Sequence, residues 1–256
     1  MRRFLSGCLL LLIATCSASP GEPAVGDLQL FLLIGQSNMA GRGRVEDQDR
    51  RPDPRVMMLT RDLTWTPAAD PVHFDKEIAG TGLCSQFART LIAADPSLRI
   101  GLIPCAMGGS SLDQWQPDGA LYADAVRRSR EALKRGRLAG ILWHQGESDC
   151  EPALLATYEK RFATLVARLR EDLGASDTPV VIGELGHFFV PGKAFNQALP
   201  GIARRVPHCG LATAEGLVDK GDQLHFDAAS LRQYGQRYAE VHLRLRKVGQ
   251  PAVRDP

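Results

Sequence analysis

Between Leu28 and Ile34 the chain is apolar at every position but Gln29, and the run stops at Gly35. A segment this short and this continuous suits a strand buried on both faces, as the interior of a parallel sheet requires. It delivers Gly35-Gln36-Ser37-Asn38-Met39, followed by Gly41 and Gly43, to whatever lies at its carboxyl end. In open α/β sheets that edge is where ligands bind. Ser37 therefore occupies the place of a nucleophile. Gly35 permits a tight turn behind it, and the N–H groups of a short following helix would face an anion formed there. On this stretch alone, a polar turn without chemistry fits equally well.

The same pattern recurs along the chain. Val56–Leu59, Arg99–Pro104, Leu138–Trp143, Pro179–Leu185 and Gly210–Ala214 are short apolar runs of strand type. Helical spacing fills the gaps: Leu83–Ala94, Ala120–Arg135, Pro152 to Gly174, a weaker stretch Phe195–Val206 interrupted by Pro200 and Gly201, and a last helix with Asp227 as N-cap and Leu231, Tyr234, Tyr238, Val241 and Leu245 along one stripe. Asp62–Gly82, broken by Pro67, Pro71, Gly80 and Gly82, reads as an irregular segment near the site. Regular strand–helix alternation predicts an α/β fold, a three-layer α/β/α sandwich around a central parallel sheet of about five strands. With 256 residues, 44% of them apolar, the chain has material for one such domain, drawn over residues 26–248. A formal charge of +2 with scattered basic residues gives no surface for nucleic acid or an anionic membrane. The sequence carries no signal for oligomeric state.

The N-terminus has a different character. Arg2-Arg3 precedes an almost wholly apolar stretch from Phe4 to Thr15, and small residues follow through Ser19. This is the layout of a secretory signal over residues 1–18, and it predicts an exported protein without a membrane span. A lipoprotein signal is the rival, because Ile13-Ala14-Thr15-Cys16 loosely resembles a lipidation box, with Thr15 a poor fit. Export would make disulfides available to Cys84, Cys105, Cys150 and Cys209. The first three fall near the active edge and Cys209 near the opposite one. A single bridge among the first three is preferred over two, and none at all also fits.

Three strand ends carry polar loops with glycine: Gly35-Gln36-Ser37, Gly108-Gly109-Ser110 and His144-Gln145-Gly146-Glu147; a fourth loop, Asp222-Gln223-Leu224-His225, precedes the last helix. Acyl transfer needs a hydroxyl, a base, a carboxylate to fix the base's tautomer, and donors for the oxyanion. Ser37, His225 and Asp222 can fill the first three roles, since three residues separate the acid from the base on one turn. An α/β-hydrolase elbow, G-x-S-x-G with the acid far from the histidine, is disfavoured, because Met39 stands in the second glycine position. His144 and Glu147 have a metal-ligand spacing but no further ligand pair, so no metal is expected. Glu147 and Asp149 read as loop-fixing groups, with an arginine as one partner. His73, His187, His208 and His242 read as structural or exposed. Trp65, Trp115 and Phe188 are candidates for a sugar-stacking face or for packing, with Trp115, just past the glycine pair, the best placed.

Taken together, GQSNM at 35–39, CAMGGSS at 105–111, WHQGESD at 143–149 and DQLHF at 222–226 resemble the SGNH hydrolases. The closest branch contains the sialate O-acetylesterase and the carbohydrate esterase family 6 (acetylxylan esterase-like) enzymes. The resemblance implies a flavodoxin-like fold, Ser37 as nucleophile, His225 as general base and acid, and Asp222 as the orienting carboxylate. It implies an oxyanion hole of the Ser37 N–H, the Gly109 N–H in preference to Gly108, and the side-chain amide of Gln145, where most of the wider family has Asn. Gln36, Asn38, Gly108, Glu147 and Trp115 would then touch substrate or fix loops, and no cofactor would be needed. The implied activity is hydrolysis of O-acetyl esters on carbohydrates of the acetylxylan or sialic acid type. A general short-chain esterase or thioesterase without sugar preference, and an inactive carbohydrate-binding relative, are the alternatives.

Overall fold

The computed structural model describes residues 28–249. The leader expected over residues 1–18 lies outside the described residues. Seven strands form one sheet: β1 (Leu28–Gly35), β2 (Val56–Leu59), β3 (Trp65–Pro67), β4 (Ile100–Pro104), β5 (Gly136–His144), β6 (Val180–Gly183) and β7 (Cys209–Ala212). They lie in the order β3-β2-β4-β1-β5-β6-β7, and every pairing but β2–β3 is parallel. The architecture is the expected α/β sandwich, with more strands than the five expected.

The clearest difference is β3, which falls inside the segment read as irregular. Thr60 and Thr64 close a turn by a backbone bond of 2.8 Å, and Trp65-Thr66-Pro67 folds back antiparallel on β2. Pro67 cannot donate to a ladder, which confines such a strand to the sheet edge, and three residues are too few for a periodic signal. The expected helix over 195–206 is α5 (Lys193–Arg205), continuous through Pro200.

Alternation along β1 explains the layers. Leu28, Leu30, Leu32 and Ile34 enter one core with Tyr122 and Val126 of α3 (Ala120–Ala132), Phe162 and Leu165 of α4 (Pro152–Asp172), and Phe195 of α5. Phe31 and Leu33 enter the other, with Phe87 and Leu91 of α2 (Cys84–Ala94) and Tyr234 and Tyr238 of α6 (Ala228–Gly249). The strand is apolar throughout because both faces are covered.

These layers also settle the cysteines. Cys84, Cys105, Cys150 and Cys209 are all free thiols, so the preferred single bridge is absent. Cys84 belongs to the α2/α6 core, whereas Cys105 and Cys150 pack on the other face of the sheet, which keeps Cys84 from either.

Strand order places the chemistry. β1 is central, β4 lies on one side and β5 on the other, so the loops leaving β4 and β5 flank the loop leaving β1. This is the switch-point crevice of an open α/β sheet. Close approach there demands glycine: a Cβ on Gly35, whose φ is +131°, would sit 2.1 Å from the His144 carbonyl oxygen.

One buried carboxyl makes stability depend on pH. Asp70 is 4% exposed and accepts from the Gly82 N–H at 3.2 Å. Burial pushes its carboxyl up to about 7, against the opposing hydrogen bond from Gly82 and with added repulsion from Asp49. An unfolded aspartate titrates near 4, so between about pH 4 and 7 the unfolded chain has released a proton that the fold still holds, and stability falls as pH rises. Asp70→Asn keeps the acceptor and carries no charge. It should flatten that slope and raise unfolding free energy by about 1–3 kcal/mol at pH 8, with little change at pH 4. Urea melts at the two pH values test this; an equal effect at both would sink it.

Candidate active site

Ser37 opens α1 (Ser37–Ala40), immediately beyond β1, and is 7% exposed. Its Oγ lies 3.0 Å from Nε2 of His225. On the other side of the ring, Nδ1 lies 2.7 Å from Oδ2 of Asp222. Residues 188 positions apart in sequence thus form one hydrogen-bonded chain.

The loop carrying His225 is built from short aspartate turns. Asp219 Oδ2 accepts from the N–H groups of Gly221 and Gln223, and Asp222 Oδ1 from those of Leu224 and His225 at 3.0 and 2.8 Å. Such turns are what short acidic side chains do where the backbone has no ladder. Partial burial works to raise the Asp222 carboxyl, but the hydrogen bonds from the His225 backbone and ring and from Leu224 outweigh it and bring the group to about 2. The Asp227 carboxylate then caps α6, accepting from the Ser230 N–H at 2.7 Å.

Asn38 joins this loop to the nucleophile turn. Its Oδ1 accepts from Phe226 N–H at 3.2 Å, and its Nδ2 donates to Leu224 O at 3.1 Å, so it holds the residues on both sides of His225. Nδ2 also donates to Glu147 Oε1 at 2.6 Å. Burial works to raise the Glu147 carboxyl, yet the His144 ring 3.6 Å away and the hydrogen bond from Asn38 leave it below the usual range. Glu147 and Asn38 therefore fix loops, one of the two roles considered for them. Asn38→Ala removes three bonds at once and frees the His225 backbone. It is expected to lower kcat about 10- to 100-fold and stability by about 2 kcal/mol, with KM less affected. Steady-state kinetics and a thermal melt test this; an unchanged kcat would show that His225 needs no such clamp.

The loop after β4 divides its two glycines. The Gly108 N–H donates to Asp75 Oδ2 at 2.9 Å, and Asp75 pairs with Arg42 at 2.6 Å with both side chains about 1% exposed. A Cβ on Gly108 would strike Arg42 Nη2 at 2.4 Å. Among the described residues no group accepts from the Ser37 or Gly109 N–H, and Gly109 is exposed. After β5, the Gln145 amide is held at both ends. Nε2 donates to Asp149 Oδ2 at 2.6 Å and to Ser110 O at 3.3 Å, and Oε1 accepts from the Tyr158 hydroxyl at 3.0 Å. Asp149 pairs with Arg161 at 3.2 Å. The Gln36 Oε1 faces the Gly146 N–H at 3.4 Å.

The aromatic candidates divide. Trp115 is fully buried, edge-on to Trp143 at 5.8 Å, with its Nε1–H on Ser110 Oγ at 2.9 Å. It cannot stack on a sugar. The glycine loop turns it inward, where its ring fills the α3/α4 core. Trp65 packs over Gly101. Phe188, half-buried as Trp65 is, lies by the site, its ring 5.1 Å from that of Phe226, next to His225.

His144 and Glu147 approach to 3.6 Å, but among the described residues no three His, Cys, Asp or Glu side chains stand together as metal ligands. A cavity of about 810 Å³ lies at the amino edge of the sheet by Gln29, Gly136, Asp177 and His208, away from Ser37. Sequence reasoning missed Asp75, Arg42 and Tyr158. Arg42 stands three residues after the GQSNM block, which was the available signal; Asp75 and Tyr158 had none.

The family model described as carbohydrate esterase, sialic acid-specific acetylesterase, matches residues 27–244. The chain belongs to this family. A probable carbohydrate esterase from Arabidopsis thaliana is 31% identical over 258 residues, spanning 89% of this chain and 97% of its own. Its crystal structure superposes with a TM-score of 0.77 over 85% of this chain and 98% of that one. A probable 9-O-acetyl-N-acetylneuraminic acid deacetylase from Escherichia coli K12 is 26% identical over 56% of this chain and 60% of its own. A carbohydrate acetylesterase from Xanthomonas citri, 18% identical, shares the fold with a TM-score of 0.66 over 87% of this chain and 57% of that one. Within the esterase family frame, the Ser37–His225–Asp222 chain sits at the carboxyl edge of the parallel sheet. Among the described residues no helix is long and apolar enough to cross a membrane.

Proposed function

We propose that the chain is an exported serine esterase that removes O-acetyl groups from a carbohydrate. The observation that carries this reading is the hydrogen-bonded chain of 3.0 and 2.7 Å from Ser37 through His225 to Asp222. Ser37 Oγ attacks the acetyl carbonyl as its proton passes to His225 Nε2. The imidazolium then protonates the departing sugar hydroxyl as the acyl–oxygen bond breaks. His225 next deprotonates a water that attacks the acetyl-serine, releasing acetate and returning the proton to Ser37.

The oxyanion is held by the N–H groups of Ser37 and Gly109 and by the Gln145 amide. Gly108 takes no part, because its N–H is committed to Asp75. Gln145 contributes by giving up its longer bond, 3.3 Å to Ser110 O, while Asp149 keeps the amide nitrogen facing the site.

A second reading, a short-chain esterase indifferent to sugars, is favoured by the aromatic count. Trp115 and Trp65 are committed to packing, which leaves Phe188 as the single stacking face of the three. Acetate release from acetylated xylan, O-acetylated sialic acid and acetylated pectin, set beside aryl acetate, butyrate and octanoate, separates the readings. The carbohydrate acetylesterase predicts at least about tenfold higher kcat/KM on one acetylated sugar than on aryl acetate, and a steep fall from acetate to octanoate. A flat profile across chain length would select the second reading.

A further inference from the structure

A cavity of about 270 Å³ opens behind the loop that follows β4, bounded by Arg61, His73, Phe74, Asp75, Met107 and Arg128. Two guanidinium groups stand against one ring here, the Cζ atoms of Arg61 and Arg128 lying 5.1 and 5.0 Å from the Phe74 centroid. Among the described residues neither is paired with a carboxylate. Arg61 donates to Phe74 O at 2.5 Å, and Arg128 donates to the carbonyls of Leu59 and Thr60 at 2.9 and 3.0 Å. The acids that bound the cavity are already neutralised: Asp75 by Arg42, and Asp124 by Arg127 at 2.7 Å.

Two buried polar atoms on this lining have no partner, Nε of Arg128 and Nε2 of His73, in side chains 2% and 3% exposed. An unmade bond from a buried guanidinium costs more than a neutral one, so the Nε–H of Arg128 calls for an acceptor. Burial pushes His73 down to about 4, which leaves its ring neutral. A neutral imidazole has one accepting nitrogen, and Nε2, which has no partner, is free to be it. A cationic donor beside a neutral acceptor matches an oxyanion that carries a neighbouring hydroxyl.

We propose that this cavity is a second binding subsite, which takes an oxyanion (a carboxylate or a phosphate) on Arg61 and the unpartnered Nε–H of Arg128. It adjoins the ester centre through Asp75, whose carboxylate bounds the cavity and accepts the Gly108 N–H, one residue from Gly109. The anion has two sources: an acidic group on the carbohydrate being deacetylated, or a free anion that binds independently. The first rests on the esterase reading above; the subsite itself does not.

Calorimetric titration of the full-length chain carrying Ser37→Ala tests the subsite without reference to turnover. The probes are glucuronate, inorganic phosphate and, as the neutral control, xylose. Glucuronate or phosphate should bind, xylose should not, and Arg61→Gln should weaken the bound anion about five- to tenfold. Tight glucuronate displaced by phosphate supports an acidic substrate group, and phosphate without glucuronate supports a free anion. No anion binding, or affinity unchanged by Arg61→Gln, overturns the proposal. If Arg61→Gln melts several degrees low, Arg61→Lys, which keeps the charge and loses the fork, is titrated instead and judged by the same criterion. Absent acetyl release from every substrate, alongside retained anion binding, would overturn the esterase reading and leave the subsite standing.

Discussion

Replacing Ser37 with alanine is expected to lower acetyl release by about 10⁴-fold while leaving the melting temperature within about 2 °C. The two halves of that expectation come from different parts of the structure. The hydroxyl makes one hydrogen bond, to His225 Nε2 at 3.0 Å, and its removal leaves β1 and α1 packed as before. The carbons of Ser37 and the clamps on either side, Gln36 to Gly146 and Asn38 to Leu224 and Phe226, stay in place. Only the attacking atom is gone. His225→Ala should cost a similar factor, and the double variant little more than either alone, because the pair acts as a unit. An additive double variant would mean that the two residues serve separate steps. A Ser37→Ala enzyme with more than about a tenth of wild-type turnover would remove Ser37 from the role of nucleophile. Labelling by an organophosphonate, read by mass spectrometry of the Ser37 peptide, should be lost in the variant.

How far the site was legible depends on how local each signal is. β1 reads directly from composition, because a strand covered on both faces has little latitude beyond Leu, Ile and Phe. The acid–base spacing in Asp222-Gln223-Leu224-His225 reads directly too, since three residues of one turn span the 2.7 Å contact. What faces the solvent is set by partners far away in sequence, and there reading fails. Trp115 follows the glycine loop as a sugar platform would, yet its position in the α3/α4 core depends on Trp143, 28 residues on by number. Asp75 sits in a stretch with no periodicity and matters because it meets Arg42 and Gly108 across the fold. β3 was hidden for the opposite reason, since a three-residue edge strand ending in proline leaves no pattern to find.

The second large effect is expected from Asp222→Asn, and its value lies in how little else it changes. Asp222 uses its two oxygens for different purposes. Oδ1 accepts the N–H groups of Leu224 and His225 and so shapes the loop, while Oδ2 faces His225 Nδ1 at 2.7 Å. Asparagine keeps Oδ1 for the backbone and must therefore turn its Nδ2–H₂ toward the ring. A ring nitrogen facing a donor has to accept, so the proton moves to Nε2 and points at Ser37 Oγ, the wrong tautomer for a base. Turnover should fall about 10³- to 10⁴-fold with KM nearly unchanged. With Asp222 held near 2, the wild-type carboxylate is ionised throughout the assay range. The depressed value contributes stability above the unfolded aspartate range that fades as pH falls through about 2, and the variant forgoes only that exposed, solvent-screened part. The discriminating readout is the imidazole itself. A proton resonance on Nδ1 of His225, coupled to ¹⁵N, should be present in the wild type and absent in Asp222→Asn, where Nε2 carries it. Turnover above about a third of wild type with that shift observed would mean that the tautomer set by Asp222 does not govern catalysis, which would remove His225 from the role of general base. Asp222→Ala is the less informative variant, because it empties both oxygens and releases the Leu224 and His225 N–H groups along with the ring.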